Sequence, residues 1–150
     1  MPEEKNYLKY ELYKQNKSRL SKAMKNEFCF EATMIEYAVI EDRVDSLFSA
    51  LNCKIKNKLK QNLETMKTSP IFNEKFIRER ITIDLIEKID EWRMERNSVV
   101  HDLFKEKILE VDFRNVAEQG FELQRILDNK VSSINRHYKR LAEKSEKNDK

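Results

Sequence analysis

The sequence predicts an all-α fold: an antiparallel bundle of roughly four to five helices in a single domain over residues 1–150. Three observations carry this. At 150 residues the chain is long enough for one hydrophobic core and too short for two comfortable ones. One glycine and two prolines leave almost no turn chemistry for a sheet meander. Apolar residues recur at three- and four-residue spacing through the long segments, the period of a helix with one buried face.

The elements follow in order. The first stretch carries Tyr7, Tyr10, Tyr13 and Leu20 among many lysines, and its aromatic stripe is expected to pack along one edge of the bundle. From Glu27 to Asn52, Phe28, Ala32, Ile35, Val39, Val44, Leu47 and Leu51 mark a long core helix. "KIKNKLKQNLETMK", Lys54 to Lys67, places Ile55, Leu59, Leu63 and Met66 on one side and lysines nearly everywhere else. The break comes at "TSPIFNEKF", where Ser69 can cap a helix whose first position is Pro70. A third long helix is expected from about Arg80 to Lys105, then the connector "EKILEVD". Asp112 can cap a last helix bearing Val116, Leu123, Leu127, Val131 and Ile134. Gly120, inside that pattern, reads as a close helix contact or a local kink. The charged end, about residues 142–150, is expected to fray.

Composition narrows the function classes. No apolar run approaches the roughly 18–20 residues that span a bilayer, and "MPEEKNYLKYELYK" lacks the apolar stretch of a signal peptide, so a cytoplasmic protein is expected. Cys29 and Cys53 have neither a CxxC spacing nor a nearby histidine, which argues against a zinc site and for reduced, half-buried residues. The formal net charge of +3 is too small to announce nucleic-acid binding.

One stretch stands apart. "RNSVVH", Arg96 to His101, sets an arginine inside the apolar stripe of the third long helix. At about 100° per residue, Trp92, Leu85 and Leu103 lie within roughly 40° of Arg96 on one side, and Ile89 and Val100 on the other. Asn97 and His101, four apart, share a line at the edge of that face, with Asp90 and Arg93 on the preceding turns. A guanidinium so placed loses several kcal/mol of hydration unless it finds partners. One reading is a structural arginine paired with a carboxylate such as Glu36 or Asp42. The other is that this face meets a second protomer and leaves a polar cleft, where Arg96 grips an anion with its planar fork and His101 exchanges a proton.

These residues resemble the signature of HEPN domains: Arg, a polar residue often Asn, an apolar stretch, then His, on a long helix of a small all-α domain. The resemblance is close from about Ile81 to Phe104 and elsewhere extends only to helical pattern. It implies a metal-independent endoribonuclease without cofactor, acting as a homodimer in which two copies of the motif face each other. Arg96, Asn97 and His101 would then be catalytic, with His101 transferring protons, Arg96 holding the phosphorane and Asn97 orienting His101 or the phosphate. HEPN toxins paired with nucleotidyltransferase antitoxins carry a tyrosine two residues after the histidine. This chain has Leu103 there, so neutralisation by tyrosine modification is not expected, although another antitoxin partner stays open. Lys54, Lys56, Lys58, Lys60 and Arg93 are weaker candidates for contacts to the RNA backbone, the alternative for the lysines being a solvated helix face.

Competing sites are thinner. Ser98, His101 and Asp102 contain triad residue types, but Ser98 lacks the sharp turn that exposes a nucleophile. Glu36, Glu41, Asp42 and Asp45 lack the Glu-x-x-His pairs of di-iron bundles and read as a solvated acidic face. His137 reads as a surface residue. The rivals from other classes are a catalytically silent helical module binding RNA or a partner protein, and a plain adaptor bundle.

Overall fold

The computed structural model describes residues 2–102, 105 and 110–150, and among these the side chains of all but residues 2 and 110–112. The described chain is all-α, with no strand. Its helices are α1 (Pro2–Lys25), α2 (Cys29–Ala50), α3 (Leu59–Thr68), a 3-10 turn (Pro70–Asn73), α4 (Lys75–Arg78), α5 (Ile83–His101) and α6 (Glu110–Asn148). None of them is long and apolar enough to cross a membrane. The backbone packs as two compact units, one of Met1–Val39 with Trp92–Gln124, the other of Ile40–Glu91 with Arg125–Lys150.

With a single glycine in the chain, helix ends must use other residues. Both α1 and α2 close with a left-handed residue, Glu27 (φ 60°) and Asn52 (φ 52°). At the first, Phe28 N–H donates to Ala23 O and Glu27 N–H to Met24 O; at the second, Cys53 N–H donates to Phe48 O and Asn52 N–H to Ser49 O. These paired bonds are the Schellman arrangement, which satisfies the last carbonyls of a helix. Asparagine tolerates this conformation; glutamate adopts it at a cost.

The first unit is built around Leu20, Ala23, Ala32 and Ala117, with Met24, Cys29, Ile35 and Phe121 packed against them. Trp92 is buried here and donates its indole N–H to Val116 O at 2.9 Å. Gly120 is a close contact: a Cβ there would sit 2.7 Å from the Trp92 ring and against the Glu36 carboxyl. Two expectations fail in this unit. Phe28 is 59% exposed and lies off the core face. Tyr7 and Tyr10 do not pack along an edge; with Leu8 and Leu12 they stand in solvent on the first half of α1, because that helix buries apolar residues only from Leu20 onward.

The second unit buries Phe48, Leu59, Leu63, Met66, Phe72 and Ile77 among others, with the Phe48 and Phe72 rings 5.4 Å apart. Several boundaries move from where the sequence put them. The lysine-rich stretch is helical only from Leu59, because the buried Asn62 side chain takes the backbone of Lys56, accepting from its N–H at 2.9 Å and donating to its carbonyl at 3.1 Å. Ile55 is consequently exposed. Ser69 does precede a helical turn with Pro70 first, but it is a 3-10 turn and the Ser69 side chain makes no cap bond. The working cap is Glu74, whose carboxylate accepts from Phe76 N–H and Ile77 N–H, both at 3.1 Å. These bonds hold its pKa below the usual carboxylate range.

Helix α5 starts at Ile83 and not at Arg80, because Thr82 caps it: its Oγ1 accepts from Leu85 N–H at 3.1 Å. It ends at His101, before Lys105. Helix α6 begins at Glu110, so the residue expected to cap it, Asp112, falls inside its first turn. Part of the predicted connector, residues 106–109, lies outside the described residues. The charged stretch from 142 onward, expected to fray, continues α6 to Asn148 with every side chain exposed. His137 is not a surface residue: it is half-buried, stacked on Phe76 at 3.8 Å. Neither cysteine is in a disulfide, and both are half-buried.

Candidate functional site

The last turns of α5 carry Arg96, Asn97 and His101 within the first unit. Arg96 is half-buried. Its guanidinium carbon lies 4.4 Å from the centroid of the Tyr37 ring, one Nη donates to Asn97 Oδ1 at 3.0 Å, and the other sits 2.9 Å from Met34 Sδ. Met34 and Tyr37 are three apart on α2, so one face of that helix forms the cradle. The ring face offers the cation an attraction of about 0.5–2 kcal/mol, and a thioether sulfur is a weak acceptor. Neither neutralises the charge. Arg96 Nε is buried with no hydrogen-bond partner, and no carboxylate among the described residues pairs with Arg96.

The structural pairing considered from the sequence is therefore not formed. Glu36 is fully buried beside Gly120, on the core side of α2, with both carboxyl oxygens lacking a hydrogen-bond partner. Burial pushes its pKa from 4.5 up to about 9, so the group is a neutral acid at physiological pH. It belongs neither to an ion pair nor to a solvated acidic face. Asp42 is in the other unit, bonded to Arg43 at 2.6 Å, and Arg43 also reaches Asp128 at 3.6 Å.

His101, the final residue of α5, is exposed, and its ring takes no hydrogen bond among the described residues. Asn97 is exposed as well, and its carbonyl oxygen serves Arg96 and not His101. Arg93 is half-buried and already engaged with protein neighbours. Trp92, expected on the dimer-facing surface, is in the core and cannot contribute to it; Val99 and Val100 stay half-buried, and Leu103 lies outside the described residues. Ser98 opens onto a shallow groove of about 360 Å³ lined by Glu95, Val99, Asn115, Val116 and Gln119. Asp102 pairs with Lys105 at 3.3 Å, so no serine triad forms. Asn115 and Gln119, polar groups beside the motif, carried no sequence signal because they come from α6, remote in the chain.

In the second unit Lys56, Lys58, Lys60 and Lys67 line one groove of about 510 Å³, with Gln61, Glu64 and Asp90. Lys54 is exposed and lies outside this lining. The lysines gather because the Asn62 bonds fix the loop backbone at Lys56, which sequence periodicity read as helix. No cluster of three metal-ligating side chains lies among the described residues. Neither a protein-family model, nor a curated protein, nor a solved structure matches this chain.

Proposed function

We propose that this chain is an endoribonuclease of HEPN type that cleaves RNA without a metal, at a composite site formed when two copies bring their α5 motifs together. The observation that carries the reading is the state of Arg96. A guanidinium held by an aromatic face, an amide oxygen and a sulfur, with no carboxylate partner among the described residues, keeps its positive charge available and its orientation fixed. Such a group is prepared for an incoming phosphate, since electrostatic stabilisation works best from donors that need not reorganise. RNA supplies its own nucleophile. One His101 accepts the 2′-hydroxyl proton as the oxygen attacks phosphorus; the other, protonated, gives a proton to the departing 5′-oxygen. The products are a 2′,3′-cyclic phosphate and a 5′-hydroxyl. Asn97 acts as a positioning residue by fixing Arg96. The lysine groove of the second unit supplies phosphate contacts whose strength falls with salt. A cytoplasmic toxin or defence ribonuclease, with an antitoxin or regulatory partner, fits this activity.

Arg96→Lys tests it, because a single ammonium keeps the charge and loses the bidentate fork. Most activity should go while the fold is kept. In mixed dimers, one Arg96→Ala protomer should remove far more than half of the activity; half activity would mean that each protomer works alone. A monomer by light scattering at micromolar concentration would remove the composite site.

A second reading, a catalytically silent module that docks RNA or a partner protein, is favoured by one observation. Tyr7, Leu8, Tyr10 and Leu12 stand exposed on α1, beyond what a self-contained enzyme core needs. Overexpression separates the two, since only the ribonuclease should be toxic through its Arg96 and His101 side chains.

A further inference from the structure

The second unit holds a pocket that the ribonuclease reading does not use, lined by Glu79, Arg80, Ile126, Asn129, Lys130 and Ser133, with a volume of about 560 Å³. Arg80 is its fixed point. The guanidinium lies 3.5 Å from the centroid of the Phe76 ring, and the His137 imidazole stacks on the same ring at 3.8 Å with 12° between the planes. Two groups this close cannot share one face, so Phe76 is clasped between Arg80 and His137. Tyr138 meets the edge of His137 and donates its hydroxyl to Glu74, the cap of α4, at 3.3 Å. Arg80 is further tied by Nη1 to Phe76 O at 3.0 Å and by Nε to Ser133 Oγ at 3.2 Å.

This leaves Nη2 of Arg80 without a hydrogen-bond partner among the described residues, in a side chain that has little freedom left to lose. Lys130, half-buried, has no acidic partner among the described residues. Ile126, Asn129, Lys130 and Ser133 fall at i, i+3, i+4 and i+7 on α6, one continuous face. The Ser133 hydroxyl, which accepts from Arg80, keeps its own hydrogen to donate. The one acid of the lining, Glu79, sits exposed 3.8 Å from Lys75, which offsets its charge. Donors therefore outnumber acceptors, and two positive charges, the Arg80 one held in place, line one space.

We infer that this pocket is an anion site for a phosphate group carried by a nucleotide-sized molecule, with Arg80 and Lys130 as the charged ligands and Ser133 and Asn129 as neutral donors. A phosphate offers enough acceptor oxygens for all four, and the guanidinium fork matches its geometry. Ile126 gives the attached body an apolar wall on one side of this open depression. The phosphate can come from a free mononucleotide or from the end of an RNA strand. The inference does not depend on the activity assigned to Arg96.

Calorimetric titration of the full chain with inorganic phosphate, AMP, adenosine and a 5′-phosphorylated RNA tetranucleotide tests it. AMP should bind saturably and adenosine should not; a tetranucleotide that binds more tightly than AMP and loses that margin in Lys130→Gln identifies an RNA end as the source, and the reverse a free nucleotide. Lys130→Gln should weaken binding by about tenfold or more, the loss of one charge-assisted hydrogen bond. Because Lys130 has no ion-pair partner among the described residues, this variant should fold as the wild type does, whereas Arg80→Gln also removes the clasp on Phe76. Lys144→Gln, an exposed lysine outside this lining, should leave the affinity unchanged. The site is refuted if no phosphate-bearing probe binds below millimolar concentration, or if Lys130→Gln binds AMP as tightly as wild type.

Discussion

Replacing Glu36 by methionine should stabilise the protein, and the gain should grow with pH. The carboxyl is fully buried against Gly120, with neither oxygen bonded. Its pKa in the folded chain is about 9, against 4.5 for an ordinary glutamate. Between those two values the folded state holds a proton that the unfolded chain has released, so stability is complete below pH 4.5 and falls as pH rises toward 9. The slope for one proton is roughly 1.4 kcal/mol per pH unit, so at pH 7 keeping Glu36 neutral costs about 3 kcal/mol. The unbonded carboxyl oxygens add about 1–3 kcal/mol at any pH. Methionine has a similar volume and no polar atom to satisfy. Urea denaturation from pH 4 to pH 9 should show wild-type stability declining across the range, a flatter curve for Glu36→Met, and a difference of about 3 kcal/mol or more at pH 7. A flat wild-type curve, or a methionine variant less stable than wild type at pH 7, would refute the placement of a neutral acid in the core.

Three further outcomes follow from the packing. Gly120→Ala should destabilise by about 1–3 kcal/mol although alanine favours helix, since its Cβ would lie 2.7 Å from Trp92; a raised melting temperature would contradict this contact. Glu27→Gly should gain up to about 1 kcal/mol by relieving the left-handed conformation, minus a small loss from the exposed 3.1 Å pair with Arg114, as read by thermal melting. Asn62→Ala should cost about 1–3 kcal/mol and release the lysine loop, so RNA affinity at low salt should fall and its salt dependence flatten. Unchanged affinity and salt slope would detach the groove from RNA binding.

Helix periodicity carried the all-α fold and most of the core, because Ala32, Val39, Val44, Leu47, Leu51, Leu63, Leu127, Val131 and Ile134 are buried where their spacing put them. It failed where a single polar side chain redirected the backbone. Asn62 bends the lysine segment out of helix, Thr82 delays α5, and Glu74 supplies the cap that Ser69 was expected to give. Such bonds have no period. Amphipathic reading also misled at the start of α1, where Tyr7 and Tyr10 have helical spacing and face solvent while Tyr13 is half-buried. At the candidate site, the isolation of Arg96 on the apolar stripe was legible, and the need for an unusual environment followed from its charge. The identity of that environment was not: Tyr37 and Met34 come from another helix, and Glu36, beside Tyr37 in sequence, lies about 100° further round that helix, against Gly120. The phosphate pocket joins α6 to the loop before α5, a pairing that only the fold supplies.

In the function proposed above, Arg96 and His101 cleave RNA by internal attack of the 2′-hydroxyl. The most direct measurement is incubation of purified wild-type chain and His101→Ala with labelled RNA in EDTA, followed by identification of the product ends. Cleavage by the wild type alone, leaving 2′,3′-cyclic phosphate and 5′-hydroxyl ends, is the predicted result. Intact RNA with the wild type, or equal cleavage by His101→Ala, would contradict the account.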